Sequence, residues 1–259
     1  MSSPPTTPSK FLSTSTELGV VAVGFSGGQV STSPIPQPTH PLTPSPQGKL
    51  GVDAAPTALI GAGLLTQLKE DLNYTLHHDS VVHTYKSLIP PSDPPYRNMK
   101  NPLGVSAVTH QISTQVYEQA SQGRLVLTLG GDHSIAIGTV AGTSRAIRER
   151  LGREMAVIWV DAHADINTPE TSDSGNVHGM PVAFLTGLAR EEREDVFGWL
   201  GAEPKLSLKN LVYIGLRDVD RGEKKILREN GVKAFSMHDI DKYVLYGGDL
   251  EWACGTDRC

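Results

Sequence analysis

Short apolar runs and longer stretches of helical periodicity take turns along this chain. Leu18–Val23 predicts a buried strand. Pro56 stands where a first helical turn tolerates proline, and Leu59, Ile60, Leu64, Leu65, Leu68 and Leu72 continue behind it as one apolar stripe. Val105, Val108, Ile112 and Val116 recur at helical spacing in the next segment. A strand is predicted at Leu125–Leu129, a helix at Ala136–Arg150 and a near-continuous apolar strand at Met155–Val160. Beyond these the pattern predicts a helix behind Pro181 over Met180–Gly187 and a strand at Leu211–Gly215. A helix at Lys224–Asn230 and a strand at Val232–Phe235 follow. Strands alternating with helices of this length imply an α/β fold, three layers α-β-α around a mostly parallel sheet.

Two segments break the pattern. Residues 1–16 are rich in Ser, Thr and Pro with almost no charge, and read as a disordered N-terminal segment. Residues 31–47 hold Pro34, Pro36, Pro38, Pro41, Pro44 and Pro46, too many for a helix or an interior strand. This stretch reads as a proline-rich surface insertion between ordered elements, in preference to a polyproline ligand for a partner domain.

Composition narrows the function classes. With 259 residues, 38% of them hydrophobic, the chain is long enough for a full α/β domain. A net charge of −5 gives no basic stripe for nucleic acid and no polybasic anchor for a membrane. No apolar run approaches the roughly 20 residues that span a bilayer. Met1–Gly19 lacks an apolar core and carries one lysine and no arginine, so neither a secretory signal nor a mitochondrial presequence is expected. The only cysteines, Cys254 and Cys259, rule out a disulfide framework for the body of the chain, and a cytoplasmic location fits.

In open α/β sheets, ligands bind beyond the carboxyl ends of the strands. Three polar clusters fall there: Gly130-Gly131-Asp132-His133-Ser134, Asp161-Ala162-His163-Ala164-Asp165 and Arg217-Asp218-Val219-Asp220. Asp161, His163 and Asp165 are spaced i, i+2, i+4, so an extended exit from the strand would turn all three toward one point. Two carboxylates and an imidazole make a metal-ligand set, and His133 adds a fourth side chain. Mostly hard oxygen, some nitrogen and no thiolate suit Mn²⁺ or another octahedral divalent ion.

These clusters carry a resemblance. Leu129–Ser134, Trp159–Pro169, Ser174-Gly175-Asn176-Val177-His178-Gly179 and Tyr213–Asp220 resemble, in order, the signatures of the arginases of the ureohydrolase family. The resemblance covers residues 17–243 apart from the proline-rich insertion. It implies two manganese ions bridged by Asp161, with His133 and Asp165 on one and His163 on the other. It also implies hydrolysis of L-arginine to L-ornithine and urea, as in arginine catabolism of the urea-cycle type. His178 would relay a proton, a task that suits an imidazole. Asn167, Ser174 and Asn176 would hold the substrate α-carboxylate and Asp220 its α-ammonium, although Asp220 could equally cap the helix beginning near Glu223. Family members usually form trimers, so a homotrimer is expected. Agmatinase, whose substrate has no carboxylate, is the rival within the family.

The pattern then breaks. Arginases carry a later S-x-D-x-D-x-x-D-P strand whose aspartates complete the metal pair, and residues 244–259 do not match it. Asp239-Ile240-Asp241 reads instead as a helix start. The expectation is a C-terminally truncated arginase that binds manganese weakly and turns over arginine poorly or not at all. The alternative is a non-catalytic product that mixes into oligomers of an intact enzyme.

Overall fold

A computed structural model describes residues 16–29, 51–203 and 205–246. The insertion 31–47, residues 1–15 and the tail from residue 247 onward lie outside the described residues.

Strand β1 (Glu17–Val23) organises the first sheet. It pairs in parallel with β4 (Leu125–Leu129), in register from Leu18–Leu125 to Ala22–Leu129. Its opposite edge takes the short strands β2 (Thr75–His77) at its start and β3 (Val82–His83) at its end. Alternation along β1 then splits the core in two. Leu18, Val20 and Ala22 join Leu129 against Ile60, Leu64, Leu65 and Leu68 of α1 (Ala55–Gly61) and α2 (Leu64–Glu70). Val21 and Val23 face the main core, where Val105, Val108, Ile112 and Val116 of α3 (Pro102–Ala120) meet Ile137 and Ala141 of α4 (Ala136–Leu151). The predicted stripe of α3 is thus wholly buried, and each such side chain contributes about 1.5–3 kcal/mol.

The single helix expected behind Pro56 is two. The chain turns at Ala62-Gly63, where Gly63 has φ 91°, and the outlying members of the stripe, Leu59 and Leu72, are exposed. A left-handed residue cannot continue a right-handed helix, so the break resets the face.

The second sheet is β5 (Val157–Val160), β6 (Leu211–Leu216) and β7 (Lys233–Ser236), again parallel throughout. Trp159, Leu211 and Tyr213 face the main core beside Phe184 and Leu185 of α5 (Pro181–Thr186) and Ile226 and Leu227 of α6 (Arg221–Glu229). Helix α7 (Met237–Tyr246) begins where Asp239-Ile240-Asp241 predicts a helix start. On the other face of β5, Ile158 and Val160 are 69% and 73% exposed.

The parallel strands with flanking helices are the α/β architecture expected from the sequence. Among the described residues β4 and β5 share no ladder, so the strands fall in two sheets. Thr128 at the end of β4 and Val160 at the end of β5 line the same cleft, of about 570 Å³. The carboxyl ends of both sheets nevertheless converge, and the polar clusters lie where they meet.

Candidate metal centre

The loop leaving β4 is fixed from several sides. A Cβ on Gly131 would lie 1.8 Å from the carbonyl oxygen of Phe25, so only glycine lets the loop pass this close to the end of β1. The Asp132 amide donates to that same oxygen at 2.9 Å. The Asp132 carboxylate is buried: Oδ1 accepts from the amide and hydroxyl of Ser134, and Oδ2 from the amide of Gly28 at 2.8 Å. Burial pushes this carboxyl above the usual carboxylate range, against those hydrogen bonds. Asp132 also caps the turn His133–Ile135 that leads into α4. His133 therefore leaves a rigid corner, and its ring stacks on Trp159 with centroids 4.5 Å apart.

The loop leaving β5 is strapped to β6. The Asp161 amide donates to Ile214, and the carbonyl of Ala162 accepts from the amides of Arg217 and Asp218. The buried Tyr213 hydroxyl donates to the carbonyl of Ala164 at 2.7 Å. Asp165 then adopts φ 50°, a left-handed conformation that aspartate tolerates better than most residues. Its carbonyl accepts from the amide of Val182 at the start of α5.

These corners bring three predicted ligands together. Nδ1 of His133 lies 2.9 Å from Oδ2 of Asp161 and 2.7 Å from Oδ2 of Asp165. One donor atom from each residue falls within 4.8 Å of the others. Burial opposes a charge on His133, but the carboxylates of Asp165 and Asp161 outweigh it and raise its pKa above the usual histidine value. Two hard carboxylates and one imidazole, with no sulfur, fit a hard or borderline divalent ion such as Mn²⁺.

His163 stands apart from that group. It is exposed, with Nδ1 3.4 Å from Oδ1 of Asp161 and Nε2 3.4 Å from Oδ2 of Asp218. The extended exit that would have aimed Asp161, His163 and Asp165 at one point is not what the chain adopts. The chain bends over residues 161–163, so the alternation is lost there; His163 faces outward, and the left-handed Asp165 meets His133.

The predicted substrate residues lie on the loop after β5 and at the start of α6. Asn167 is buried: its amide nitrogen donates to Oδ2 of Asp220 at 2.6 Å, and its oxygen accepts from the hydroxyl of Thr171. One Nδ2 hydrogen thus remains for a ligand. Ser174 is exposed, and its hydroxyl accepts from the Asn176 amide. Nδ1 of His178 donates to the carbonyl of Gly28 at 3.0 Å, which leaves Nε2 as the basic nitrogen. Asp220 does cap α6: Oδ1 accepts from the Glu223 amide, and Oε2 of Glu223 accepts from the Asp220 amide.

Three residues of the centre escape the motif reading. Glu223 is 4% exposed, and Oε1 faces the amide of Ile166, next to Asp165. Burial drives its pKa to about 7. The Asp-x-x-Glu spacing of a capping box is its signal in sequence. Asp132 and Trp159 act through His133, and only their places beside a glycine pair and in an apolar strand mark them.

His133, Asp161 and Asp165 form a group able to hold a metal ion on an α/β scaffold, and comparison with known proteins gives the family. The model of the arginase family matches residues 39–247. The chain is 65% identical over 247 residues to the arginase of Neurospora crassa, an alignment covering 95% of this chain and 64% of that protein. The arginase of Bacillus cereus superposes with a TM-score of 0.69 at 34% identity, over 87% of this chain and 65% of that one. The arginase of Entamoeba histolytica, solved with L-ornithine, gives a TM-score of 0.68 at 26% identity, over 88% and 67%. The chain belongs to the arginase family. It spans slightly under two thirds of the length of the Neurospora relative. No helix among the described residues is long and apolar enough to cross a membrane.

Proposed function

We propose that this centre serves the manganese-dependent hydrolysis of L-arginine to L-ornithine and urea. The convergence of His133, Asp161 and Asp165 within an arginase-family fold carries the reading. The first ion is assigned to His133, Asp161 and Asp165. A second, more weakly held, is assigned to Asp161 and His163, because His163 flanks Asp161 outside the converging group. A divalent ion held there supplies Lewis acidity, bringing the ionisation of water toward neutral pH.

The chain's own residues do the rest. Asp161 and Asp165 attract the cationic guanidinium as well as the ion. Asn167, Ser174 and Asn176 offer neutral polar groups to the α-carboxylate, and the capped carboxylate of Asp220 faces the α-ammonium. Nε2 of His178 takes up and returns the proton that urea release requires, its ring held in one tautomer by Gly28. By family likeness the assembly is a homotrimer and the role is arginine catabolism of the urea-cycle type. The near-absence of cysteine supports a cytoplasmic setting.

Calorimetric titration with Mn²⁺ and a urea-release assay test this, with agmatine as the control substrate. Manganese binding that is lost in Asp165→Ala, with urea formed from L-arginine and not from agmatine, is the expected result. Urea from agmatine alone would move the chain to the agmatinase reading. Absence of binding and turnover would leave a non-catalytic member of the family.

A further inference from the structure

The loop that carries Asn167, Ser174 and Asn176 has little regular structure of its own, and the segment 93–101 braces it. This brace is rooted in the core. Asp93 accepts from the amides of Leu103 and Gly104 in the first turn of α3 at 3.1 and 2.7 Å, and Met99 is completely buried. Between those fixed points Arg97 and Asn98 are both left-handed, with φ 45° and 65°. Two consecutive non-glycine residues in that region persist only where surrounding contacts hold them.

The contacts lead to one place. Nδ2 of Asn98 donates to the carbonyls of Ser172 at 2.7 Å and Pro169 at 3.2 Å. The Lys100 amide donates to the carbonyl of Gly175 at 2.8 Å. Gly175 has φ 68°, and a Cβ there would lie 2.1 Å from the carbonyl oxygen of Asn98, so the two segments touch backbone to backbone. Arg97 adds ion pairs to Glu170 on the loop and to Glu191 beyond it. Asn101 reaches the carbonyl of Gly27, next to the Gly28 that holds His178.

We infer that Asn98 is a positioning residue for amino-acid recognition. Its side-chain amide fixes the span from Pro169 to Ser172, and through it the directions of Asn167, Ser174 and Asn176, without touching the metal ligands. The inference rests on the arginine reading for the identity of the ligand, and on geometry alone for the brace. Both amide hydrogens are used on carbonyls of the loop, so no shape-preserving residue lacking that donor replaces it. The left-handed backbone further limits substitutes to asparagine, aspartate and glycine.

The test compares the wild-type chain with Asn98→Gly, which keeps the backbone conformation and deletes the donor. Asn98→Asp, of the same shape and tolerant of the same backbone, serves where the glycine variant fails to fold. Hydrogen exchange of the Thr171, Ser172 and Gly175 amides should accelerate by about tenfold or more, with β6 amides unchanged. Calorimetry should show L-ornithine affinity falling about tenfold while Mn²⁺ affinity stays within about twofold. Unchanged loop exchange in the variant would overturn the inference, and so would equal losses of ornithine and manganese affinity. A wild-type chain that ignores L-ornithine would defeat the arginine reading instead, and the exchange rates would then decide the role of Asn98 by themselves.

Discussion

The side-chain amide of Asn167 donates to the carboxylate of Asp220 at 2.6 Å, joining the loop after β5 to the first turn of α6. Asp220 serves two masters there, since its other oxygen caps the helix through the Glu223 amide. Asp220→Ala is expected to lower the unfolding free energy in urea by about 1–2 kcal/mol, the usual cost of an N-cap. Asp220→Asn keeps an acceptor for the cap and should recover most of that loss. Equal destabilisation by the two would mean that the cap contributes little.

Glu223 makes stability depend on pH. Its folded pKa of about 7 lies above the unfolded value of 4.5, so the native state holds a proton that the unfolded chain has released. The resulting stabilisation is full below about pH 4.5 and disappears as pH rises through 7. In metal-free buffer, urea unfolding should therefore show stability declining between pH 5 and 8, by on the order of 2–3 kcal/mol from this group. Glu223→Gln should flatten that slope. A variant with the wild-type slope would show that another group is responsible.

Much of this fold could be read from the chain, because burial dictates periodicity. The strands at Leu125–Leu129 and Leu211–Leu216, and the helix face of Val105, Val108, Ile112 and Val116, are where the apolar pattern puts them. The pattern could not show the Gly63 break, since a leucine stripe counted every three or four residues runs through a turn as readily as through a helix. Nor could it show the separation of β4 from β5, because pairing partners leave no mark in a single apolar strand. In the candidate metal centre, His133, Asp161 and Asp165 follow from residue type and place. The outward turn of His163 goes with a bend over residues 161–163, which no spacing rule announces. Asn98 is similarly silent, as its meaning comes from a loop about 70 residues away.

The geometry ranks the proposed metal ligands. Asp165→Ala removes a buried carboxylate 2.7 Å from His133, and should lower Mn²⁺ affinity by at least about 100-fold. His163→Ala removes an exposed imidazole outside the converging group, and should cost about tenfold, mainly at the proposed second ion. Manganese titration followed by the paramagnetic signal of the free ion separates the two. The reverse order of losses would refute the assignment of the tighter ion.

Gly131 offers a steric test. An added methyl would meet the Phe25 carbonyl, which belongs to the backbone and cannot swing away. Gly131→Ala should cost about 1–3 kcal/mol in urea unfolding and also weaken Mn²⁺ binding, because the corner that aims His133 must shift. A variant as stable as the parent and equally able to bind the ion would show that this corner is softer than its contacts suggest.

The bare flank of β5 has a practical outcome. Ile158 and Val160 form a greasy floor beside a row of backbone amides and carbonyls with no ladder on that side among the described residues, and such a border invites extended polypeptide from any neighbouring molecule. Crowding, more than heat, should then decide how long a preparation stays dispersed. Light scattering followed against protein concentration would register that self-adhesion well before the helices melt.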